Sequence, residues 1–129
     1  MKRVLLDTHA FLWFVFDDPR LSAKAAATIE SAEIEKHLSI ASLWEITIKS
    51  QLNKLKLGMP LSEFFDAFVT EREIDVVNID LYHLLAYEAL PLHHRDPFDR
   101  LITATAQVMH VPIVSADPFL SKYDVSIIW

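Results

Sequence analysis

Lys2-Arg3-Val4-Leu5-Leu6 is a short run, apolar in its last three residues, that ends abruptly on Asp7. Three successive aliphatic side chains suit a strand covered on both faces, because neighbouring residues of a strand point to opposite sides. Working outward, similar runs recur at His37-Leu38-Ser39-Ile40, Ile74-Asp75-Val76-Val77, Pro112-Ile113-Val114-Ser115 and Ser126-Ile127-Ile128-Trp129. The stretches between them read as helices. One covers residues 9–16 and is stopped by Asp17-Asp18-Pro19; another runs from Ser22 to about Ile34; a third runs from Ser42 to the turn at Lys54–Gly58. A fourth follows Pro60 and carries Leu61, Phe64, Phe65 and Phe68; two more span Asp80 to Leu90 and Asp96-Pro97 to Met109. Strands that alternate with helices predict an α/β fold of βαβ units, with a mainly parallel sheet covered on both faces. In such a sheet ligands bind beyond the carboxyl ends of the strands, so acidic residues at those ends are candidates.

The 129 residues predict a single domain over 1–129, with no internal repeat and no Gly/Ser linker. Cysteine is absent, which excludes disulfide frameworks, thiolate catalysis, zinc fingers and iron–sulfur clusters. The single glycine, Gly58, excludes P-loops and the Rossmann fingerprint, and no Gly-x-Ser-x-Gly elbow occurs. Val4–Leu6 is too short for a signal peptide, and the apolar run Ala10–Phe16 is far shorter than the roughly 20 residues of a membrane helix. A soluble, cytoplasmic protein is the expectation, with no membrane partner. The net charge of −6 excludes a purely electrostatic nucleic-acid binder, which would be basic. Any nucleic-acid chemistry here requires divalent cations to offset the local negative charge. The mean hydropathy of +0.23 is high for a small soluble chain. It fits either apolar surface kept for a partner or one well-filled core.

Five carboxylates fall at the expected sheet edge: Asp7 after the first strand, Glu45 after the second, Asp96 and Asp99 before the fourth, and Asp117 just beyond it. Each also has a plain structural reading. Ser42-x-x-Glu45 matches a capping box. Asp96 before Pro97 matches an N-cap with proline at N1, leaving Asp99 at N3 where the helix dipole favours it. Asp117-Pro118 matches a turn start. As a group they point elsewhere, because clustered carboxylates repel unless cations sit between them, and all-oxygen sites suit magnesium or manganese. Lys49, four residues after Glu45, shares its helix face and is placed to orient that carboxylate or touch a phosphate. His93-His94-Arg95 reads as a polar surface loop, or as a phosphate path or acid–base pair. His9 stands beside the candidate site or on the surface.

The strings Leu6-Asp7-Thr8-His9, Ser39-Ile40-Ala41-Ser42-Leu43-Trp44-Glu45-Ile46, His94-Arg95-Asp96-Pro97-Phe98-Asp99-Arg100-Leu101-Ile102 and Val114-Ser115-Ala116-Asp117-Pro118-Phe119 together resemble the PIN-domain nucleases. Within that family they resemble the VapC-like toxins of bacterial toxin–antitoxin pairs. The resemblance spans the chain and implies a three-layer α/β/α sandwich and a metal-dependent ribonuclease. It places Asp7, Glu45, Asp99 and Asp117 in the acidic site that binds Mg2+ or Mn2+, with Thr8, Asp96, Ser115 and Lys49 as supports. His9, His94 and Arg95 are then candidates for contact with the RNA substrate. The resemblance also implies a cognate small antitoxin protein lying across helical surface, and a homodimer. The aromatics of Phe11–Phe16 and of Leu61–Phe68 are the expected partner surface.

The implied reaction is hydrolysis of an RNA phosphodiester by a metal-activated water, leaving a 5′-phosphate and a 3′-hydroxyl. Three rivals remain. A metal-independent ribonuclease using His93 and His94 would give a 2′,3′-cyclic phosphate and survive chelation. A receiver-like phosphoacceptor domain would want paired acids at Asp7 and a lysine soon after Ser115, whereas the next lysine is Lys122. A non-catalytic PIN-like partner-binding module would use the carboxylates only as caps and bind no manganese.

Overall fold

A computed structural model describes residues 2–129. Strands β1 (Lys2–Leu6), β2 (Ile34–Ser39), β3 (Asp75–Val77), β4 (Ile113–Val114) and β5 (Ile127–Ile128) form one sheet in the order β3-β2-β1-β4-β5. Every neighbouring pair is parallel. Parallel neighbours require crossovers. They are supplied by α1 (Thr8–Val15), α2 (Ala23–Glu30), α3 (Ile40–Gln51), α4 (Leu61–Phe65), α5 (Leu81–Ala89) and α6 (Pro97–Met109), and before β5 by a short 3-10 turn at Leu120–Lys122. The pleat of β1 divides the core. Val4 and Leu6 pack with Phe11, Leu38, Ile46 and Phe64 on one face, while Leu5 packs with Ile102, Ile113 and Leu120 on the other. Both faces of the sheet are therefore covered, as the three-layer expectation required. Among the described residues no helix is long and apolar enough to cross a membrane.

Four details differ from the sequence reading. β2 starts at Ile34, inside the stretch expected to be helical, and α2 stops at Glu30. Ile34-Glu35-Lys36 pairs with Lys2-Arg3-Val4 at the amino end of the sheet. That end is largely exposed in both strands, so charged side chains are accommodated and the apolar signal of a strand is missing. Secondly, α3 starts at Ile40, and its N-cap is Ser39, whose Oγ accepts from the Ala41 N–H at 3.0 Å. Ser42 is not a cap and the capping-box reading of Glu45 falls: Glu45 lies a turn inside the helix.

Thirdly, the helix expected through Phe68 widens into a π-helical turn at Asp66–Thr70. The wider turn brings Phe64, Phe68 and Val69 round to one side, where Phe64 and Val69 are buried. Fourthly, the aromatics expected to form a partner surface are mostly core. Phe11 and Phe64 are fully buried and meet edge to face at 6.3 Å, with Phe65 and Phe68 packed around them; only Phe16 is largely exposed. The exposed apolar surface lies instead on α5. Its inward face is His83, Ala86, Tyr87 and Leu90, leaving Leu81, Tyr82, Leu84 and Leu85 outward, with Leu92 89% exposed just beyond.

Candidate active site

The carboxyl ends of the three central strands coincide, since Leu6 is in register with both Leu38 and Val114. The chain leaves β1 toward β2 on one side and returns as β4 on the other, so a crevice opens beyond β1 where the winding reverses. Asp7 is the first residue into it. Its N–H donates to the Val114 carbonyl at 3.1 Å, and its buried carboxylate accepts from the Ala10 N–H at 2.7 Å as the N-cap of α1. Ser115 leaves β4 beside it; its hydroxyl accepts from the Asp117 N–H at 3.0 Å and favours the ionised form of Asp7. The buried Thr8 hydroxyl donates to Ser42 Oγ at 2.9 Å, which ties the start of α1 to α3.

Glu45 is 5% exposed and faces the same crevice. Its Oε2 pairs with Lys49 Nζ at 2.9 Å, as the i+4 spacing suggested, while Oε1 is buried with no hydrogen-bond partner. Asp96 caps α6 by accepting from the Phe98 N–H (2.8 Å) and Asp99 N–H (3.3 Å), with Pro97 at N1 and Asp99 at N3. Burial, first of all, pushes the Asp99 carboxyl up to about 7; the charges of Asp96, Asp7 and Glu45 add to the rise, and His94 opposes it. Asp7 is also raised, by burial foremost and slightly by Asp117, against the hydrogen bonds from Ser115 and Ala10 and the charge of His9. Asp117 accepts from the Phe119 N–H at 2.9 Å through one oxygen and lies 2.8 Å from His94 Nε2 through the other. Asp99 thus feels the charges of Asp7 and Glu45, and Asp7 that of Asp117, while His94, Asp99 and Asp117 bring donor atoms within 4.8 Å of one another.

The remaining candidates separate. His94 is not on a free surface loop: its half-buried ring stands between Asp117 and Asp99, with Nε2 3.2 Å from Asp99 Oδ2. Arg95 is exposed and lines a cleft beside His94 with Tyr87, Leu92 and Arg100. His9 is exposed, its ring 5.9 Å from that of Trp13. His93 turns away from its neighbour to meet Tyr123 edge-on at 5.2 Å, so the two adjacent histidines do not form an acid–base pair. Sequence reasoning missed three supports: Ser42, the Tyr123 hydroxyl that accepts from the His94 N–H at 2.9 Å, and Arg100. The buried Arg100 guanidinium donates to the carbonyls of Pro91 (3.0 Å) and Tyr87 (3.2 Å) and lies over the Tyr87 ring. It fixes the loop that delivers His94. Only its place in the quoted motif marked it.

Glu45 Oε1, a buried carboxylate oxygen without a hydrogen-bond partner, and Asp99, a carboxyl raised by burial and by its acidic neighbours, are features that a bound cation would satisfy. The donor set of Asp7, Glu45, Asp99 and Asp117 is all oxygen, which fits a hard divalent ion such as Mg2+ or Mn2+.

A family model described as the PIN domain matches residues 4–125. Ribonuclease VapC22 of Mycobacterium tuberculosis (strain ATCC 25618 / H37Rv) is 31% identical over 107 residues, covering 82% of this chain and 80% of that protein. Among solved structures, VapBC2 from Rickettsia felis bound to a promoter DNA fragment superposes with a TM-score of 0.75 at 13% identity, over 97% of this chain and 96% of the other. FitAcB from Neisseria gonorrhoeae superposes with a TM-score of 0.63 at 17% identity, over 96% and 95%. At such identities the superpositions speak for the fold alone.

Proposed function

Because the chain belongs to the PIN-domain family, we propose that it is a divalent-metal-dependent endoribonuclease, the toxin of a toxin–antitoxin pair. The observation that carries this reading is that Asp99 feels the charges of Asp7 and Glu45, and Asp7 that of Asp117, with Glu45 Oε1 buried and unpartnered. Asp7, Glu45, Asp99 and Asp117 hold Mg2+ or Mn2+. When bound, such an ion lowers the pKa of a water and offsets negative charge on the phosphate and the departing oxygen.

The protein's own residues do the positioning. Lys49 holds Glu45 by one oxygen and leaves the other, Oε1, unpartnered, so that it would be available to a bound cation. Ser115 holds the turn carrying Asp117 beside Asp7, and Thr8 with Ser42 locks the two helix starts. Asp96 sets the first turn of α6 and so the height of Asp99. The attacking group in this reading is a water, with no side-chain nucleophile. Arg95 and His9, exposed at the rim, meet RNA phosphates. The products are a 5′-phosphate and a 3′-hydroxyl.

The reading assigns the enzyme to the cytoplasm, with a small antitoxin protein as partner. A solved structure of the same fold, from Klebsiella pneumoniae, is described as a toxin–antitoxin complex. It also assigns a homodimer, for which the outward leucines of α5 are the apolar surface on hand. The test is a digest of end-labelled RNA with Mg2+, with Mn2+ and with EDTA, followed by end-group analysis. Cleavage with either ion, none in EDTA and 5′-phosphate ends are expected. Undiminished cleavage in EDTA, or cyclic-phosphate ends, would overturn the mechanism in favour of histidine chemistry.

A further inference from the structure

His94 meets two of the four carboxylates, and its ring nitrogens are not equivalent. Nδ1 lies 3.0 Å from the backbone N–H of Asp96, which can only donate, so Nδ1 is the acceptor. A neutral imidazole accepts at one nitrogen and carries its proton on the other. The proton is therefore on Nε2, which faces Asp117 Oδ2 at 2.8 Å and Asp99 Oδ2 at 3.2 Å. Turning the ring by half a rotation would put carbon at both nitrogen positions and lose the hydrogen bonds to the Asp96 N–H and to Asp117. The ring is held in this orientation by the Tyr123 hydroxyl on its own backbone N–H and by Phe119, which meets it edge-on at 5.6 Å.

Nε2, Asp99 and Asp117 lie close enough together for all three to bind one ion. The tautomer argues against that arrangement, since a protonated Nε2 has no lone pair to give a cation. We propose that His94 is a positioning residue: its Nε2–H holds the Asp117 carboxylate at 2.8 Å while standing 3.2 Å from the Asp99 carboxylate, and so sets the spacing of the cation site. The Asp117 oxygen so held keeps a second lone pair for the ion. Hydrogen-bond partners of metal-binding carboxylates typically matter at this level, and their loss costs roughly 10–100-fold in affinity. The inference rests on the proposed cation site. It changes the part expected of His94 from touching RNA to holding the groups that do the chemistry.

The first test needs no variant and no cation. Long-range 1H–15N correlation spectra of the intact protein, read in EDTA and again with diamagnetic Mg2+, report the His94 tautomer. The Nε2–H form is expected in both; an Nδ1–H form, or a switch of Nε2 to an unprotonated nitrogen on adding Mg2+, would overturn the positioning role. This arm gives an answer even for a protein that fails to cut RNA, so its failure is separable from failure of the nuclease reading.

The second test titrates Mn2+ by calorimetry into wild type, His94→Ala and His94→Gln. His94→Ala should bind Mn2+ roughly 10–100-fold more weakly. His94→Gln, whose amide offers both a donor to the carboxylates and an acceptor for the Asp96 N–H, should lose less than about tenfold. Cleavage by His94→Ala should recover in excess Mn2+ with an unchanged RNA KM. Wild-type affinity in His94→Ala, equal losses in both variants, or a raised KM that excess Mn2+ does not restore would each overturn the proposal.

Discussion

Glu45 is where folding and chemistry pull in opposite directions. A buried carboxylate with one oxygen paired to Lys49 and the other unpaired costs stability in the cation-free protein. Its Lys49 partner is part-exposed, so losing the pair costs only about 0–1 kcal/mol. Glu45→Gln should therefore melt within a degree or two of wild type or above it, while cleavage falls by about two orders of magnitude. Melting curves beside digest rates check both halves.

Asp99 gives a pH signature. Folded and cation-free, its carboxyl keeps a proton up to about 7, whereas an ordinary aspartate releases it near 3.8. Between those values the folded state holds more protons than the unfolded one, so stability is present at low pH and declines as pH rises through about 7. Cation binding has the opposite dependence, because the ion must displace that proton, so cleavage should fall as pH drops below about 7. Asp96→Asn keeps the cap but removes a neighbouring negative charge that helps raise Asp99. Its cleavage profile should extend to lower pH than wild type, with the maximal rate largely retained. At this scale Asp7, Asp96, Asp99 and Asp117 were legible because each stands at or within a turn of an element boundary that sequence can find, whereas Glu45 lies a turn deeper in α3 than the sequence placed it. His94 was not, since His93-His94-Arg95 carries no local sign of which ring turns inward; Asp96, Tyr123 and Phe119 decide that through contacts the chain makes only when folded.

Among the elements, β1, α6 and β4 followed closely from their apolar runs and from the Asp96-Pro97 start. The start of α3 did not, because Ser39 and Ser42 are both acceptable caps and the second sits three residues before a glutamate. The choice is made by the sheet: Ser39 pairs with Val77 as the last residue of β2, and the helix can begin only after it. Ser39→Ala should accordingly cost about 0.5–2 kcal/mol, read as a lowered denaturant midpoint at unchanged slope. The buried aromatics were visible as a cluster but not as core, since sequence alone does not say that Phe11 and Phe64 meet. Phe64→Ala should cost about 3–5 kcal/mol, a large share of the stability of a domain this size.

For the whole molecule, a net charge of −6 must coexist with a polyanionic substrate. The fold concentrates part of that acidity at one sheet edge, which on the proposed reading cations would convert into a phosphate-binding surface. RNA affinity should therefore be negligible in EDTA and appear with divalent ions. The high mean hydropathy is resolved between the two inner layers and the outward face of α5, where Leu81 and Tyr82 are 66% and 71% exposed. Light scattering at micromolar concentration should report a dimer, and Leu81→Glu with Leu84→Glu should report a monomer that still melts cooperatively. A wild-type monomer at those concentrations would remove the dimer.

The central claim is that Asp7, Glu45, Asp99 and Asp117 form a site for one or more divalent cations, and calorimetric titration of Mn2+ into the wild-type chain and Glu45→Gln reads it most directly. Saturable binding by the wild type at pH 8, lost or weakened by about 100-fold in a variant that melts normally, is the predicted result. No binding by the wild type, or equal binding by the two proteins, would contradict it.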